Sequence, residues 1–258
     1  MTALLDHLRE AQRGGRKLLV PYLMAGVPDR AGFPEALRAV ARHADAVEIG
    51  LPFSDPLMDG PVIAAAGDRA LRAGIGPHDA LDLAGGTAIV PPKLVMTYYN
   101  PIHNVGEVDF CRRAAAAGAA GLIVPDLPLE EAASLQRAAA DASLGWVPLV
   151  APTSSPERVA ALAATATGFL YAVSTLGVTG TRPELSDRAA AVARRCKEVT
   201  DVPVLLGVGV STPAQAVEAT RVADGVVIGS AVVTAVLERG PEAAASLLGD
   251  VRAALDGR

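Results

Sequence analysis

The chain has 258 residues, of which 51% are hydrophobic, 20% charged and 3% aromatic, with a formal net charge of −5. The apolar fraction excludes a disordered chain, and the acidic balance argues against a general nucleic-acid-binding protein. Two cysteines are too few for a disulfide scaffold, and no apolar leader follows Met1, so we expect a cytoplasmic protein. The uncharged stretch Val159–Thr181 is broken by glycine, serine and threonine, which disfavours a membrane span.

Short aliphatic runs recur along the chain and predict eight strands that are buried on both faces. They are Leu18–Leu23, Ala46–Ile49, Lys93–Thr97, Gly121–Val124, Trp146–Val150, Phe169–Val173, Val202–Leu206 and Gly225–Ile228. Alanine-rich segments with helical spacing lie between most of these strands. They are Phe33–Arg42, Val62–Ala73, Val108–Ala117, Glu130–Ala140, Glu157–Ala164 and Arg188–Val199. Strands that alternate with helices indicate βαβ units around a parallel sheet.

Eight such repeats in this length favour a closed (β/α)8 barrel, an α/β TIM barrel, over an open doubly wound sheet. Periodicity alone leaves both arrangements open. Thr2–Arg13 predicts an extra N-terminal helix before the first strand, and Pro241–Asp256 predicts a closing helix. Because no linker or change of composition divides the chain, we predict one barrel domain over residues 1–258.

An acidic loop follows the second predicted strand, at the face where barrels build their active sites. The strand ends at Glu48, and the loop contains Asp55 and Asp59. Burial raises the pKa of a carboxyl, so Glu48 is a candidate proton carrier near neutral pH. The alternative is that Glu48 caps a backbone group or pairs with a lysine, while Asp55 and Asp59 are ordinary turn residues before proline and glycine.

Three glycine-bearing loops follow the last three predicted strands, at Gly177–Thr181, Gly207–Gly209 and Gly229–Ser230. Their backbone N–H groups, unobstructed by side chains, would suit one anion, and barrels often bind phosphate at this place. The alternative is that the glycines only allow tight turns. Neither a Walker lysine nor a full dinucleotide fingerprint is present, which disfavours nucleotide binding.

Other catalytic groups are poorly placed in the sequence. The candidates are His7, His43, His78, His103, Cys111, Cys196 and Lys93. The histidines lack metal-ligand spacing, the cysteines lie in helical segments, and the lysine begins a strand instead of ending one. Carboxylate acid–base chemistry on a phosphorylated substrate, without a metal, is therefore the expected activity.

Six motifs stand in order along nearly the whole chain. They are Pro21–Gly26, Glu48–Pro61, Met96–Pro101, Gly121–Pro128, Tyr171–Gly180 and Ala223–Ser230. With these motifs the sequence resembles the tryptophan synthase alpha subunit family, the indole-3-glycerol phosphate lyases. The resemblance implies a (β/α)8 barrel and a retro-aldol cleavage of indole-3-glycerol phosphate to indole and glyceraldehyde 3-phosphate, in L-tryptophan biosynthesis.

The same resemblance assigns roles to the acids. Glu48 would protonate C3 of the indole and take the proton of the glycerol hydroxyl, and Asp59 would stabilise the indole N1–H. Asp55 would be structural or contact a partner. No metal or cofactor is implied in this subunit, and pyridoxal phosphate is expected only on a partner beta subunit.

The resemblance also implies the substrate-binding residues. The indole pocket would be walled by Tyr22, Met96, Ile123 and Tyr171, with Val208 where the family usually has phenylalanine; the phosphate would lie against Gly180, Gly209, Gly229 and Ser230, with Thr179 closing a lid. Ala64 stands where glutamine is usual, so this sequence departs from the family at Val208 and Ala64. A beta subunit in an alpha2-beta2 type complex would contact Pro52–Met58 and Tyr99–Val105, and no nucleic acid or membrane partner is expected.

Three alternatives remain at this point. A stand-alone indole-releasing lyase of specialised metabolism would use the same residues without an obligate partner. A barrel that has lost turnover would only activate a beta subunit allosterically, although both acids are present. A phosphoribosyl isomerase or another phosphate-binding barrel would need acids at different strand ends.

Overall fold

A computed structural model describes residues 2–173, 187–207 and 209–257. Parallel strands form one sheet in the order β5-β4-β3-β2-β1-β9-β8-β7-β6. The strands are β1 Leu18–Met24, β2 Val47–Gly50, β3 Lys93–Met96, β4 Ala119–Ile123, β5 Gly145–Trp146, β6 Leu149–Val150, β7 Leu170–Val173, β8 Val204–Gly207 and β9 Gly225–Ile228. Each of the eight aliphatic runs predicted as strands coincides with this set.

The sheet closes into a barrel through its two outermost segments. β5 and β6 are halves of one barrel strand, interrupted where Pro148 has no N–H to donate. On one side the Val147 N–H donates to the Leu122 carbonyl at 3.1 Å, and on the other the Tyr171 N–H donates to the Pro148 carbonyl at 3.0 Å. The closed (β/α)8 barrel is thereby confirmed over the open sheet, whereas the single domain over the full chain stays a prediction.

Helices connect the strands and cover the outside of the barrel. In the described residues they are α1 Ala3–Ala11, α2 Phe33–Ala41, α3 Pro61–Arg72, α4 Pro77–Gly85, α5 Tyr99–Val105, α6 Glu107–Ala116, α7 Ala133–Asp141, α8 Pro156–Thr165, α9 Asp187–Lys197, α10 Pro213–Ala219, α11 Ser230–Arg239 and α12 Pro241–Leu255. The sequence did not predict α4 and α5. α5 has only seven residues, contains Pro101 and is followed by its C-cap Gly106, which has a left-handed φ of 90°.

The extra N-terminal helix α1 closes the floor of the barrel. Leu4 and Leu8 are fully buried in the cluster of inward-facing strand residues. A Cβ at Gly121, Gly145 or Gly168 would lie only 2.7–2.8 Å from Leu4 Cδ2. The absence of a side chain at these three glycines therefore leaves the space into which Leu4 of α1 packs.

A buried ion pair fastens the closing helix α12 to the same floor. Asp45, 5% exposed, accepts a hydrogen bond from the Leu19 N–H at 2.8 Å and one from Arg252 Nη1 at 3.0 Å. Its other carboxylate oxygen accepts from Arg16 Nε at 3.1 Å. The carboxylate thus joins α12, the start of β1 and the segment before β2.

Both cysteines are buried free thiols, and burial raises the pKa of each to about 11. Lys93 is buried at the start of β3, donates to the Ala84 carbonyl at 2.6 Å, and has a pKa lowered by burial. In residues 2–173, 187–207 and 209–257, no group of three His, Cys, Asp or Glu side chains is arranged to hold a metal ion. The helices of this part of the chain are all too short or too polar to cross a bilayer.

Candidate active site

Glu48 lies inside the barrel as the second residue of β2, and the prediction that the strand ends at Glu48 is wrong, because β2 continues to Gly50. Its strand neighbours Val47 and Ile49 pack outward into the core beneath the helices, and alternation turns Glu48 to the interior. The side chain is 1% exposed, and its Oε2 has no hydrogen-bond partner among the described residues. Neither a cap nor a lysine therefore satisfies this oxygen. Burial, with a smaller contribution from the charge of Asp59, raises the pKa of Glu48 to about 8.

Asp59 approaches the same interior from the loop between β2 and α3. The Tyr98 hydroxyl donates to Asp59 Oδ1 at 3.0 Å and accepts the Met58 N–H at 3.0 Å. The Phe53 ring stacks on the Tyr98 ring with centroids 5.2 Å apart, which holds the phenol in place. Burial raises the pKa of Asp59 to about 6, although the hydrogen bond from Tyr98 opposes that rise.

Two further tyrosines each pack on a glycine at the end of the adjacent strand in the sheet, Tyr22 of β1 on Gly50 of β2 and Tyr171 of β7 on Gly207 of β8. A Cβ at Gly50 would lie 1.9 Å from the Tyr22 hydroxyl oxygen, and a Cβ at Gly207 would lie 2.0 Å from Tyr171 Cε2. Burial raises the pKa of both phenols, and the charges of Glu48 and Asp59 raise them further. Both phenols are therefore neutral hydrogen-bond donors in the space that holds the two acids.

Two of the predicted pocket residues meet at the same level of the barrel. Met96 and Ile123 are paired in register on β3 and β4, and Met96 also pairs with Gly50. Ile123 is fully buried, whereas Met96 remains partly exposed. Together with Tyr22 and Tyr171, these side chains form the apolar and aromatic environment of Glu48 and Asp59.

The predicted phosphate residues follow strands β8 and β9, which pair directly. Gly209 has a φ of 84°, a left-handed conformation that suits glycine. Gly229 caps α11, and a Cβ at this glycine would lie 3.6 Å from Tyr22 Cβ, so this helix start lies beside Tyr22. Ser230 begins α11, and the first N–H groups of a helix lack acceptors within it. Thr179, Gly180 and Val208 lie outside the described residues.

A cleft of about 240 Å³ opens beside this site, between α7 and α8. Leucine, proline and tryptophan side chains make up much of its lining, and Met58, the neighbour of Asp59, stands at one side. Asp126 lines it as well and accepts the Tyr99 N–H at 2.9 Å. Inside the cleft, the buried Gln136 Nε2 has no hydrogen-bond partner among the described residues.

Sequence reasoning missed Tyr98 as the partner of Asp59, and it missed the two glycines beneath the tyrosines. For Tyr98 a signal was available, because two adjacent tyrosines, Tyr98 and Tyr99, directly follow the third strand in a chain that is poor in aromatic residues. Gly50 carried no such signal, and Gly207 stands in the sequence only as part of a predicted anion-binding loop, because only the three-dimensional packing of Tyr22 and Tyr171 explains the two glycines.

Comparison with known proteins decides the family of this barrel. The family model described as "Tryptophan synthase alpha chain" matches residues 8–252. The chain belongs to the tryptophan synthase alpha chain family.

Individual members of the tryptophan synthase alpha chain family match over nearly full length. The tryptophan synthase alpha chain of Synechococcus elongatus is 44% identical over 260 residues, covering 99% of this chain and 98% of that one. The Streptomyces coelicolor alpha chain is 46% identical over 247 residues, covering 95% and 91%.

Solved structures agree with this membership. A chain of Mycobacterium tuberculosis tryptophan synthase superposes with a TM-score of 0.91 at 40% identity, covering 98% of each chain. Tryptophan synthase subunit alpha from Legionella pneumophila gives a TM-score of 0.90 at 32% identity, covering 100% of each. Membership of this family does not favour the phosphoribosyl isomerase alternative.

Proposed function

We propose that this chain is the alpha subunit of a tryptophan synthase and cleaves indole-3-glycerol phosphate to indole and glyceraldehyde 3-phosphate. The observation that carries the proposal is a pair of carboxyls with different environments inside the barrel, Glu48 and Asp59, in a full-length member of the alpha-chain family. Such a pair allows one carboxyl to hold a proton while the other is ionised at the same pH.

Glu48 acts first as the general acid. With a pKa of about 8 it holds its proton at neutral pH, and that proton passes to C3 of the indole ring. The glycerol hydroxyl next to C3 then loses its proton to the ionised Glu48 and becomes the aldehyde oxygen. The electrons of the breaking carbon–carbon bond return to the ring, which leaves as indole while Glu48 is protonated again.

Asp59 stabilises the charge that forms between these steps. Protonation at C3 makes the ring nitrogen cationic, and its N1–H then seeks an acceptor. Asp59, with a pKa of about 6, is largely ionised at neutral pH and supplies that acceptor. Tyr98 keeps one carboxylate oxygen in a fixed position through its hydrogen bond.

Substrate binding rests on the residues predicted from the family motifs. The indole ring lies among Tyr22, Met96, Ile123, Tyr171 and Val208. The phosphate is held at the ends of the last strands by backbone N–H groups and by the Ser230 hydroxyl. The residues that hold it are Gly180, Gly209, Gly229 and Ser230, and Thr179 closes over the phosphate. What supports this arrangement is the left-handed turn at Gly209 and the helix start at Ser230.

A tryptophan synthase beta subunit is the partner that we propose, in an alpha2-beta2 type complex. Leu57, in the loop Pro52–Met58, is 85% exposed, which suits an apolar contact with another chain. Asp55 lies exposed in the same loop. This subunit needs no cofactor for the cleavage, and pyridoxal phosphate belongs on the beta subunit. The cytoplasmic compartment stays a prediction from the sequence.

The test is release of indole from indole-3-glycerol phosphate, measured with and without a beta subunit. We expect weak release by this chain alone and strong activation by the partner. Release without any activation would favour the stand-alone lyase of specialised metabolism. Activation of the beta subunit without any indole release would favour the non-catalytic partner and contradict the proposal.

A further inference from the structure

Asp126 connects two neighbouring loops at the carboxyl end of the barrel. It lies after β4, and its Oδ1 accepts the backbone N–H of Tyr99 at 2.9 Å. Tyr99 is the first residue of α5, which follows β3. A carboxylate at this position satisfies one N–H that has no acceptor within the helix and complements the helix dipole.

The residue held next to this hydrogen bond is the partner of Asp59. Tyr98 is the N-cap of α5, and its hydroxyl joins Met58 N–H to Asp59 Oδ1, each at 3.0 Å. The backbone of Tyr98 thus sets where the phenol meets the acid. Burial is the main cause of the raised pKa of Tyr98, and the charge of Asp126 makes a small further contribution.

The helix that carries Tyr98 depends on outside support. α5 has only seven residues, so it makes few internal hydrogen bonds. At its side, the Tyr99 hydroxyl donates to Glu107 at 3.0 Å. At its beginning, Asp126 supplies the bond from the barrel strand next along the sheet, and this bond fixes the helix start against β4.

We propose that Asp126 is a positioning residue for Asp59, acting through the Tyr99 N–H and the Tyr98 hydroxyl. The inference rests on the proposed function, because Asp59 is there the group that receives the indole N1–H. Loss of the Asp126 bond lets α5 shift, and the phenol then no longer holds Asp59 where the ring nitrogen arrives. The cost falls on turnover instead of on substrate binding, because the charge on the ring exists only after protonation.

Other titratable groups face Asp59 and are left unchanged by the test. They are Glu48 on β2, Tyr22 on β1, Tyr98 before α5 and Tyr171 on β7. The hydrogen bond from Tyr98 lowers the pKa of Asp59, so weakening that bond raises it.

The experiment removes the hydrogen bond from each side. Asp126→Ala deletes the acceptor, and Tyr99→Pro deletes the donor at a first helical position where proline is well accommodated. Tyr98 already has a φ of −75° and a ψ of 160°, which a following proline permits. Tyr99→Ala is the matched control, because it loses the same ring but keeps the N–H. Glu131→Ala removes an exposed carboxyl from the loop of Asp126.

We expect Asp126→Ala to lower kcat for indole release about fivefold, because a displaced Asp59 stabilises the charged ring nitrogen less well, with KM little changed. Tyr99→Pro is expected to lower kcat by a similar factor relative to Tyr99→Ala. The double variant Asp126→Ala with Tyr99→Pro is expected to lose no more kcat than either of its single variants. Asp126→Asn keeps an acceptor oxygen and restores most of kcat. Additive losses, or equal losses in Tyr99→Pro and Tyr99→Ala, would overturn the proposal.

A second readout separates this inference from the proposed function. Carboxylate NMR of the substrate-free protein follows the pKa of Asp59, which we expect to rise in Asp126→Ala, to rise more in Tyr99→Pro than in Tyr99→Ala, and to stay unchanged in Glu131→Ala. An unchanged pKa of Asp59 in both bond-deleting variants would refute the positioning role even if the wild type releases indole. If the pKa of Asp59 rises in both bond-deleting variants but the wild type releases no indole, the proposed function alone is refuted.

Discussion

Two buried carboxyls, Asp45 just before β2 and Glu48 within it, differ completely in how they are satisfied. Asp45, 5% exposed at the floor, accepts hydrogen bonds from a backbone N–H and two arginines. Glu48, 1% exposed inside the barrel, leaves Oε2 without any partner in the described part of the chain. A paired buried acid fastens elements together, whereas an unpaired one keeps its proton and becomes available for chemistry.

The difference has a consequence for stability. The folded state raises the pKa of Glu48 from 4.5 to about 8. Between these pH values the unfolded chain has released this proton while the folded chain keeps it, so stability falls as pH rises. The buried Glu48, which we propose as the general acid, therefore lowers the stability of the barrel as the pH rises toward neutral.

The largest effect on activity is expected from Glu48→Gln. We expect kcat for indole release to fall at least ~10²-fold, because the amide has the same shape but no proton to give. Thermal unfolding of this variant is expected to lose the part of its pH dependence between pH 4.5 and about 8 that Glu48 contributes. Wild-type turnover in Glu48→Gln would refute the assigned role, and Glu131→Gln, an exposed change, serves as the control.

Asp59→Asn tests the second acid. We expect a loss of kcat of at least ~10²-fold, because a neutral amide stabilises the cationic ring nitrogen poorly. Tyr98→Phe removes the hydrogen bond to the same carboxylate and is expected to cost less, since the charge remains. Steady-state kinetics of indole release check both, and equal losses in the two variants would contradict the role of the charge.

Asp45→Ala tests the floor, where the loss is expected in stability. The change leaves the Arg252 guanidinium buried without this partner, and we expect the free energy of unfolding to fall by about 3–5 kcal/mol. Urea unfolding measures the loss, and kcat of the folded protein should stay near the wild-type value. Asp250→Ala removes an exposed acid from the helix of Arg252 and is the matched control. A large loss of kcat with unchanged stability would reverse the comparison.

Gly209→Val is expected to act on binding. A β-branched side chain is strained at a φ of 84° and obstructs backbone approach to the phosphate, so KM should rise with a smaller effect on kcat. Kinetics with indole-3-glycerol phosphate check this. An unchanged KM would place the phosphate elsewhere.

The alternation of strands and helices could be predicted from sequence, because the strands are continuous aliphatic runs with helical segments between them. Closure of the sheet does not follow from periodicity, since it depends on the hydrogen bonds made by Val147 and Pro148 at the break between β5 and β6. The helix α5 has only seven residues, too few for a clear helical period. Asp45 and Glu48 look alike in sequence, as acids beside apolar strand residues. Only the positions of Arg252 and Arg16 in space show which of the two is paired.

The central claim is that Glu48 holds a proton at neutral pH because it is buried and its Oε2 has no hydrogen-bond partner among the described residues. Carboxylate NMR of the substrate-free protein, with Glu48→Gln used to assign the signal, measures this directly. We predict that Glu48 titrates near pH 8. A titration near the ordinary value of 4.5 would contradict the account, because Glu48 would then be ionised when the substrate binds.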